Sequence, residues 1–355
     1  MKIATLANAA VGHTRRWVES LTARGHEVRL WSLEPAPAGL EARALPSLPV
    51  PGLLRYPLAL GALQGELARF APDLLDAHFV PNYGFLGALT GRHPLAVTAW
   101  GSDLLMADGA HPLRRARARF VLERADLVIA DAANLANAAR ALGARPGRVH
   151  EVPWGVDLTR FRPGPAREPG LLLSARMHEP VYDLETLIAG VAPVMERRPQ
   201  LHLVIAGDGR LRAAHERLAA RLLPAGRFRF VGLLTPPQMA EWLARAEIYL
   251  STSRSDSTSV SLLEAMAAGA YPVVSDIEGN REWVAEAEGA GETVGSACLF
   301  PPGDPAALGG ALERALADPD RAQRGRARNR KVVEARGDQA ANLERIEALF
   351  MSLAR

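Results

Sequence analysis

Lysine and cysteine are almost missing from this chain. Lysine occurs only as Lys2 and Lys331, so arginine supplies nearly all of the positive charge. Neither lysine follows a glycine-rich turn or sits where a Schiff base could form, which excludes a P-loop and pyridoxal phosphate chemistry. The single cysteine, Cys298, has no partner for an intrachain disulfide and argues against a cysteine-built metal site. No apolar run approaches the roughly 20 residues that cross a bilayer. Asn8 and the early Arg15-Arg16 pair interrupt what would be a signal-peptide core, so Met1 to Ala10 is expected to be a strand and the protein cytoplasmic. Basic residues number 42 against 39 acidic ones, a formal charge of only +3 that makes no demand for a nucleic-acid partner. The glycine fingerprint of dinucleotide sites is lacking too. Ala9-Ala10-Val11-Gly12-His13 brings one glycine after the first strand, and Gly207-Asp208-Gly209 has no third glycine in register.

What the chain does have is alternation. Apolar runs of strand length alternate with longer amphipathic segments, the pattern of parallel α/β sheets. A first series comprises Lys2 to Asn8, Glu27 to Leu33, Leu74 to Phe79, Leu95 to Trp100, Leu127 to Ala130 and Val149 to Pro153, with a helix over His13 to Arg24 that stops at Gly25. Arg, Pro and Gly then crowd Thr159 to Gly170, where Pro163, Pro165 and Pro169 forbid a continuing helix. A second series follows in Leu171 to Ser174, Leu201 to Ala206, Phe228 to Val231, Ile248 to Ser251 and Tyr271 to Ser275, and the chain reads as helical from Asp304 to its end. The expected organisation is a Rossmann-like domain over 1–158, a linker over 159–170, a second such domain over 171–338 and a terminal helix over 339–355. Each domain is long enough to bury its own core.

The stretch Ser251 to Gly269 runs from a strand through a hydroxyl-rich turn into a helix. Amides at a helix start lack internal partners and sit at the positive end of its dipole, so a phosphate there is stabilised. Asp256 before the turn and Glu264 inside the helix could hold hydroxyls on either side of that phosphate, which is the pattern of a nucleotide joined to a sugar. Each acid also has a plain structural reading. Ser261-Leu262-Leu263-Glu264 fits a capping box, and Asp256 fits a turn or cap.

Asp256-x7-Glu264, with Glu264-Ala265-Met266-Ala267-Ala268-Gly269 and Pro272-Val273-Val274 behind it, resembles the acidic-x7-acidic block of family 4 of the retaining glycosyltransferases (glycosyl transferases group 1). The resemblance implies the GT-B fold: two Rossmann-like parallel-sheet domains facing a central cleft, with the last helix crossing back to the first domain. It implies acceptor binding in the first domain and donor binding in the second, with Asp256 at the sugar and Glu264 at the ribose. Gly207, Gly209, Ser257, Thr258, Ser259, Val260 and Ser261 would line the donor. The family usually has Glu at the first acid and glycines where Ser257 and Ser259 stand.

Further positions match this pattern. Arg176, beyond the strand that begins at Leu171, takes the place of the family's diphosphate-binding arginine, whose guanidinium grips two phosphate oxygens and stays charged. Its alternative is a surface pair with Glu179. Tyr182 stands for the family's companion lysine, and Arg210 is the candidate to restore that charge. Gly12 matches a glycine whose loop approaches the donor phosphate, or forms a plain tight turn. His13 and Arg16 face the cleft or solvent. His78 could reach the cleft edge as a catalytic group or be a hydrogen-bonded structural histidine. Trp100 replaces the histidine of the family's His-Gly-x-Asp, while Asp103 keeps its place as a candidate catalytic contact to sugar or acceptor. Asn280 and Glu282 touch the nucleotide or cap a helix.

The implied activity is metal-independent and cofactor-free. A sugar passes, with retention, from a UDP-, GDP- or ADP-sugar to a hydroxyl of a glycan, a lipid-linked acceptor or a small molecule, in glycan, glycolipid or envelope polysaccharide synthesis. An epimerase that needs no acceptor, and a module that binds a nucleotide sugar without turnover, are the alternatives. Arg114, Arg115, Arg117 and Arg119 crowd beside Leu113, Phe120 and Val121, a helix that could rest on anionic lipid at the inner face of the membrane or be a solvated face.

Overall fold

A computed structural model of the chain describes residues 1–47, 50, 52–105, 112–164, 166–284 and 296–354. Pro165 and Arg355, which belong to the expected linker and terminal helix, lie outside these residues. The chain forms two compact units, Met1–Val152 with Leu343–Arg355, and Pro153–Asn342.

The first unit is built on β1 (Lys2–Leu6), β2 (Glu27–Ser32), β3 (Arg43–Ala44), β4 (Leu74–His78), β5 (Leu95–Thr98), β6 (Leu127–Ala130) and β7 (Val149–Glu151). They pair in the order β3-β2-β1-β4-β5-β6-β7, every neighbour parallel. The second unit holds β8 (Leu171–Ala175), β9 (His202–Ala206), β10 (Phe228–Gly232), β11 (Ile248–Ser251), β12 (Tyr271–Ser275) and β13 (Cys298–Phe300), ordered β10-β9-β8-β11-β12-β13 and again parallel throughout. Every residue of β4, β5, β6, β11 and β12 is buried. A parallel strand covered on both faces carries a continuous apolar run, which is why these strands read so clearly. Strand order reverses beside β1, next to β4, and beside β8, next to β11. Open α/β sheets bind their ligands at the carboxyl ends of such strands.

Several ends differ from expectation. Asn8, Phe79 and Trp100 lie beyond their strands. β3 and β13, of two and three residues, carry too little pattern to be foreseen. The helical stretch after Asp304 holds three helices: Pro305–Ala317, Pro319–Arg336 and Gln339–Leu353. Asp304 and Asp318 each precede a proline and cap the helix it opens, accepting from Ala307 N at 2.9 Å and Arg321 N at 2.8 Å.

The segment expected to end the first domain packs on the second unit. Val156 N donates to Gly337 O at 2.7 Å, and Arg330 donates to Phe161 O at 2.8 Å. At the other end, the terminal helix returns to the first unit. Its Phe350 lies 6.0 Å from the Trp17 ring, and Glu347 meets Arg24 and His26, both at 3.0 Å. Among the described residues no helix is long and apolar enough to cross a membrane.

Candidate functional site

In the second unit β8 and β11 are neighbours. Arg176, the residue after β8, therefore meets the chain that leaves β11 and enters the Val260–Ala268 helix. Ser259 caps that helix, accepting from Leu262 N at 3.4 Å. Arg176 Nη1 donates to Ser259 Oγ at 2.7 Å and to Ser261 Oγ at 2.9 Å, while Nη2 donates to Asp256 Oδ2 at 2.5 Å. The Tyr182 ring lies 4.2 Å from the guanidinium carbon, a cation–π stack. Tyr249, fully buried on β11, completes the cluster through its hydroxyl, 2.7 Å from Ser261 Oγ. Burial of Arg176 opposes its charge, but Asp256 and the two tyrosines outweigh burial and hold its pKa above the ordinary arginine value. The result is a permanent cation, 8% exposed, held at the start of a helix.

Three glycines shape this cradle. Gly207 and Gly209 follow β9 at φ +119° and +151°, conformations that a side chain rarely adopts. A Cβ on Gly207 would overlap the Arg176 carbonyl oxygen, and one on Gly209 would lie 2.7 Å from that of His178. On the other side, a Cβ on Gly279 would overlap the Ser257 carbonyl oxygen and stand 2.6 Å from that of Asp256. Both walls of the site are thus set by close backbone contact. Ser257 and Thr258 are buried in the turn between them, and Trp283 Nε1 donates to Thr258 Oγ1 at 3.4 Å.

Other expectations are decided by the partners that the fold supplies. Glu264 is not the acid of a capping box, because the cap is Ser259 and Glu264 stands five residues beyond it. Arg210, expected to restore the missing lysine's charge, pairs with Glu179 at 2.7 Å and is largely exposed. Glu179 is thereby occupied, and the surface-pair alternative for Arg176 does not hold. Asn280 donates to Ser275 O at 2.8 Å and is buried, so it braces the end of β12. Glu282 accepts from Arg336 at 3.2 Å.

The first unit carries a second constellation at the carboxyl ends of β1 and β4. Asp76 and His78 lie on one face of β4, two residues apart, a spacing that the sequence displays. Asp76 Oδ2 accepts from Trp17 Nε1 at 2.8 Å and lies 3.1 Å from His78 Nε2. The His78 ring packs against Trp17 at 5.0 Å and Trp100 at 5.5 Å, and Trp100 in turn lies 5.2 Å from His13. His78 is 2% exposed, which favours its structural alternative. His13, 2.8 Å from an Arg16 nitrogen, has its pKa lowered to about 4 by burial first and by the Arg16 charge second, so it is neutral near pH 7. Asp103 corrects an expectation. It is 1% exposed and both carboxylate oxygens accept main-chain amides, from Trp100 and Val80 at 3.0 Å each. Burial raises its pKa against the pull of those amides. Asp103 thus braces the Trp100 turn.

Gly12 opens the Gly12–Ala23 helix, is exposed, and a Cβ there would meet nothing within 4 Å. Nothing within the fold demands glycine at this place, so the tight-turn alternative loses its support. Gly12→Ala should therefore leave the melting temperature unchanged, and a fall in turnover alone would support the expected donor contact. A loss of both would return Gly12 to a structural role.

The four arginines from 114 to 119 do not share one face. Arg117 is buried 4.1 Å from the Phe85 ring, whereas Arg119 is exposed and pairs with Glu123 at 2.7 Å. Among the described residues, no three His, Cys, Asp or Glu side chains gather as a metal site would require.

Two parallel-sheet α/β units, of seven and six strands, place the chain in the GT-B fold. Residues 10–160 match the model described as Glycosyltransferase Family 4, and residues 168–318 match Glycosyl transferases group 1. The chain belongs to this family and is a glycosyltransferase. Among curated relatives, D-inositol 3-phosphate glycosyltransferase 2 of Catenulispora acidiphila is 32% identical over 63% of this chain and 62% of its own length. Among solved structures, sucrose-phosphate synthase of Thermosynechococcus elongatus superposes with a TM-score of 0.84 at 22% identity, over 99% of both chains. HepE of Anabaena, in complex with UDP and glucose, gives 0.82 at 18% identity, over 99% of this chain and 100% of its own.

Proposed function

We propose that this glycosyltransferase is metal-independent and retaining, and that its Pro153–Asn342 unit holds the diphosphate of a nucleoside diphosphate sugar between Arg176 and the amides that open the Val260–Ala268 helix. One observation carries the reading. A guanidinium of fixed charge and a helix start meet where β8 and β11 part, joined by hydrogen bonds of 2.7 and 2.9 Å. Glu264 is assigned to the ribose, Asp256 to the donor sugar, and Gly207 and Gly209 to close backbone approach. Tyr182 fixes the plane of the guanidinium in place of a second cation. A UDP-sugar is the favoured donor, as the UDP and glucose named in the HepE structure support.

The acceptor is assigned to the Met1–Val152 unit, at the carboxyl ends of β1 and β4 around Gly12. Its hydroxyl oxygen forms a bond to the anomeric carbon as the bond from that carbon to the β-phosphate breaks. The hydroxyl proton passes to a phosphate oxygen, on the same face of the sugar. Arg176 and the helix amides stabilise the charge that gathers on the departing diphosphate. No side-chain nucleophile takes part. The configuration of the product tests this: from an α-linked donor, NMR should show an α-glycoside in the presence of a chelator. A β-glycoside, or activity abolished by chelation and restored by Mg²⁺, contradicts it.

A further inference from the structure

The backbone that carries Arg176 is clamped two residues further on, at His178. His178 N donates to Asp208 O at 2.8 Å, and His178 O accepts from Leu211 N at 3.0 Å. The third hold is made by side chains. His178 Nδ1 lies 3.0 Å from Nδ1 of His215, on the Arg212–Leu222 helix, and both rings have no exposed surface. A bond between two imidazole nitrogens needs one hydrogen between them: one nitrogen donates and the other accepts. When the accepting nitrogen takes up a proton the bond is lost, and two N–H groups face each other in a buried setting. Of the three holds on His178, the imidazole pair alone can be undone by acid.

We propose that His178 is a positioning residue, whose bond to His215 holds the Arg176 loop at neutral pH and releases it on acidification, so that donor affinity has an acid limb belonging to the protein. This rests on the assignment of Arg176 to the donor diphosphate. The surroundings supply the charges that set the limb. Arg212 and Glu216 face the pair from the helix of His215, and Asp208 faces it from the turn after β9. Glu185, at the start of the Leu184–Arg197 helix, lies 3.4 Å from His215 Nε2 and is half exposed, giving the buried pair a link to solvent. The Phe230 ring closes the site from β10 at 5.7 Å. Burial first, then the His215 and Arg212 charges, lower the His178 pKa against the pull of Asp208 and Glu216. Its neutral form therefore prevails above the ordinary histidine value of about 6.5, and the bond fails only below it.

The test uses the full chain and UDP, GDP and ADP, with the tightest of the three carried through. Asparagine places an acceptor near the Nδ1 position and does not titrate, so His178→Asn should bind like the wild type at neutral pH and lose the acid limb. Between about pH 7.5 and about pH 5.5 the wild-type Kd should rise about threefold more than that of His178→Asn, as the competent fraction falls. Ionisation of the ligand's own phosphate is common to both proteins and cancels in that ratio. His178→Phe, lacking the bond at every pH, should bind more weakly throughout. Equal ratios for wild type and His178→Asn, with normal neutral affinity, overturn this proposal alone; so does wild-type affinity in a folded His178→Phe. If wild type binds none of the three at neutral pH, the donor assignment falls and this proposal with it.

Discussion

Replacing Arg176 by alanine is expected to lower kcat by about a hundredfold, the usual cost of removing one preorganised donor aimed at developing charge. The loss should fall on kcat more than on KM, because in the proposed mechanism the leaving diphosphate gains charge as its bond to the sugar breaks, and contact with the guanidinium strengthens with it. Arg176 also neutralises Asp256 at 2.5 Å. Melting must therefore be followed alongside, and turnover compared well below each midpoint. Arg176→Lys separates charge from shape. It keeps the cation but loses the fork that reaches Ser259, Ser261 and Asp256 together, so its activity should lie between the two. A near-normal rate for Arg176→Ala would remove this residue from the mechanism.

The second large effect is at Gly279, which touches no donor in the proposed function. Its backbone lies against the carbonyls of Asp256 and Ser257. An added methyl group must push the turn that carries Asp256 or displace the Glu278–Val284 helix. Gly279→Ala should cost about 2 kcal/mol of stability, in the range of overpacked sites. It should also lower turnover by moving Asp256 away from Arg176. Urea unfolding and kinetics on the same sample check both. Wild-type stability would mean that the turn yields freely, and that the cradle is less rigid than its contacts indicate.

Much of the fold was legible because both sheets are parallel and covered on two faces. Runs such as Leu127 to Ala130 and Ile248 to Ser251 carry no polar interruption and begin and end where expected. Strand ends were harder. At Asn8, Phe79 and Trp100 an apolar or neutral residue continues the pattern while the backbone has already turned. Short edge strands leave no periodicity to read, and the Asp318-Pro319 break was submerged in a helical composition.

In the site, what sequence displayed was local: the eight-residue spacing of Asp256 and Glu264, and Arg176 at a strand end. What it concealed was pairing across the fold. Arg210 finds Glu179 and Asp103 finds the Val80 amide, and no feature near either residue announces those partners. Tyr249, an aromatic hydroxyl between Ile248 and Leu250, was a visible signal that went unused. Its hydroxyl meets Ser261 beside the guanidinium. Gly279 could be seen as a glycine, but only the approach of the Asp256–Ser257 backbone gives it a reason.

Isothermal titration of this chain with UDP, GDP and ADP tests the central claim most directly. The account predicts that at least one of the three binds at a single site without added metal, and that Arg176→Ala weakens that binding. Heats no larger than dilution for all three nucleotides would contradict it.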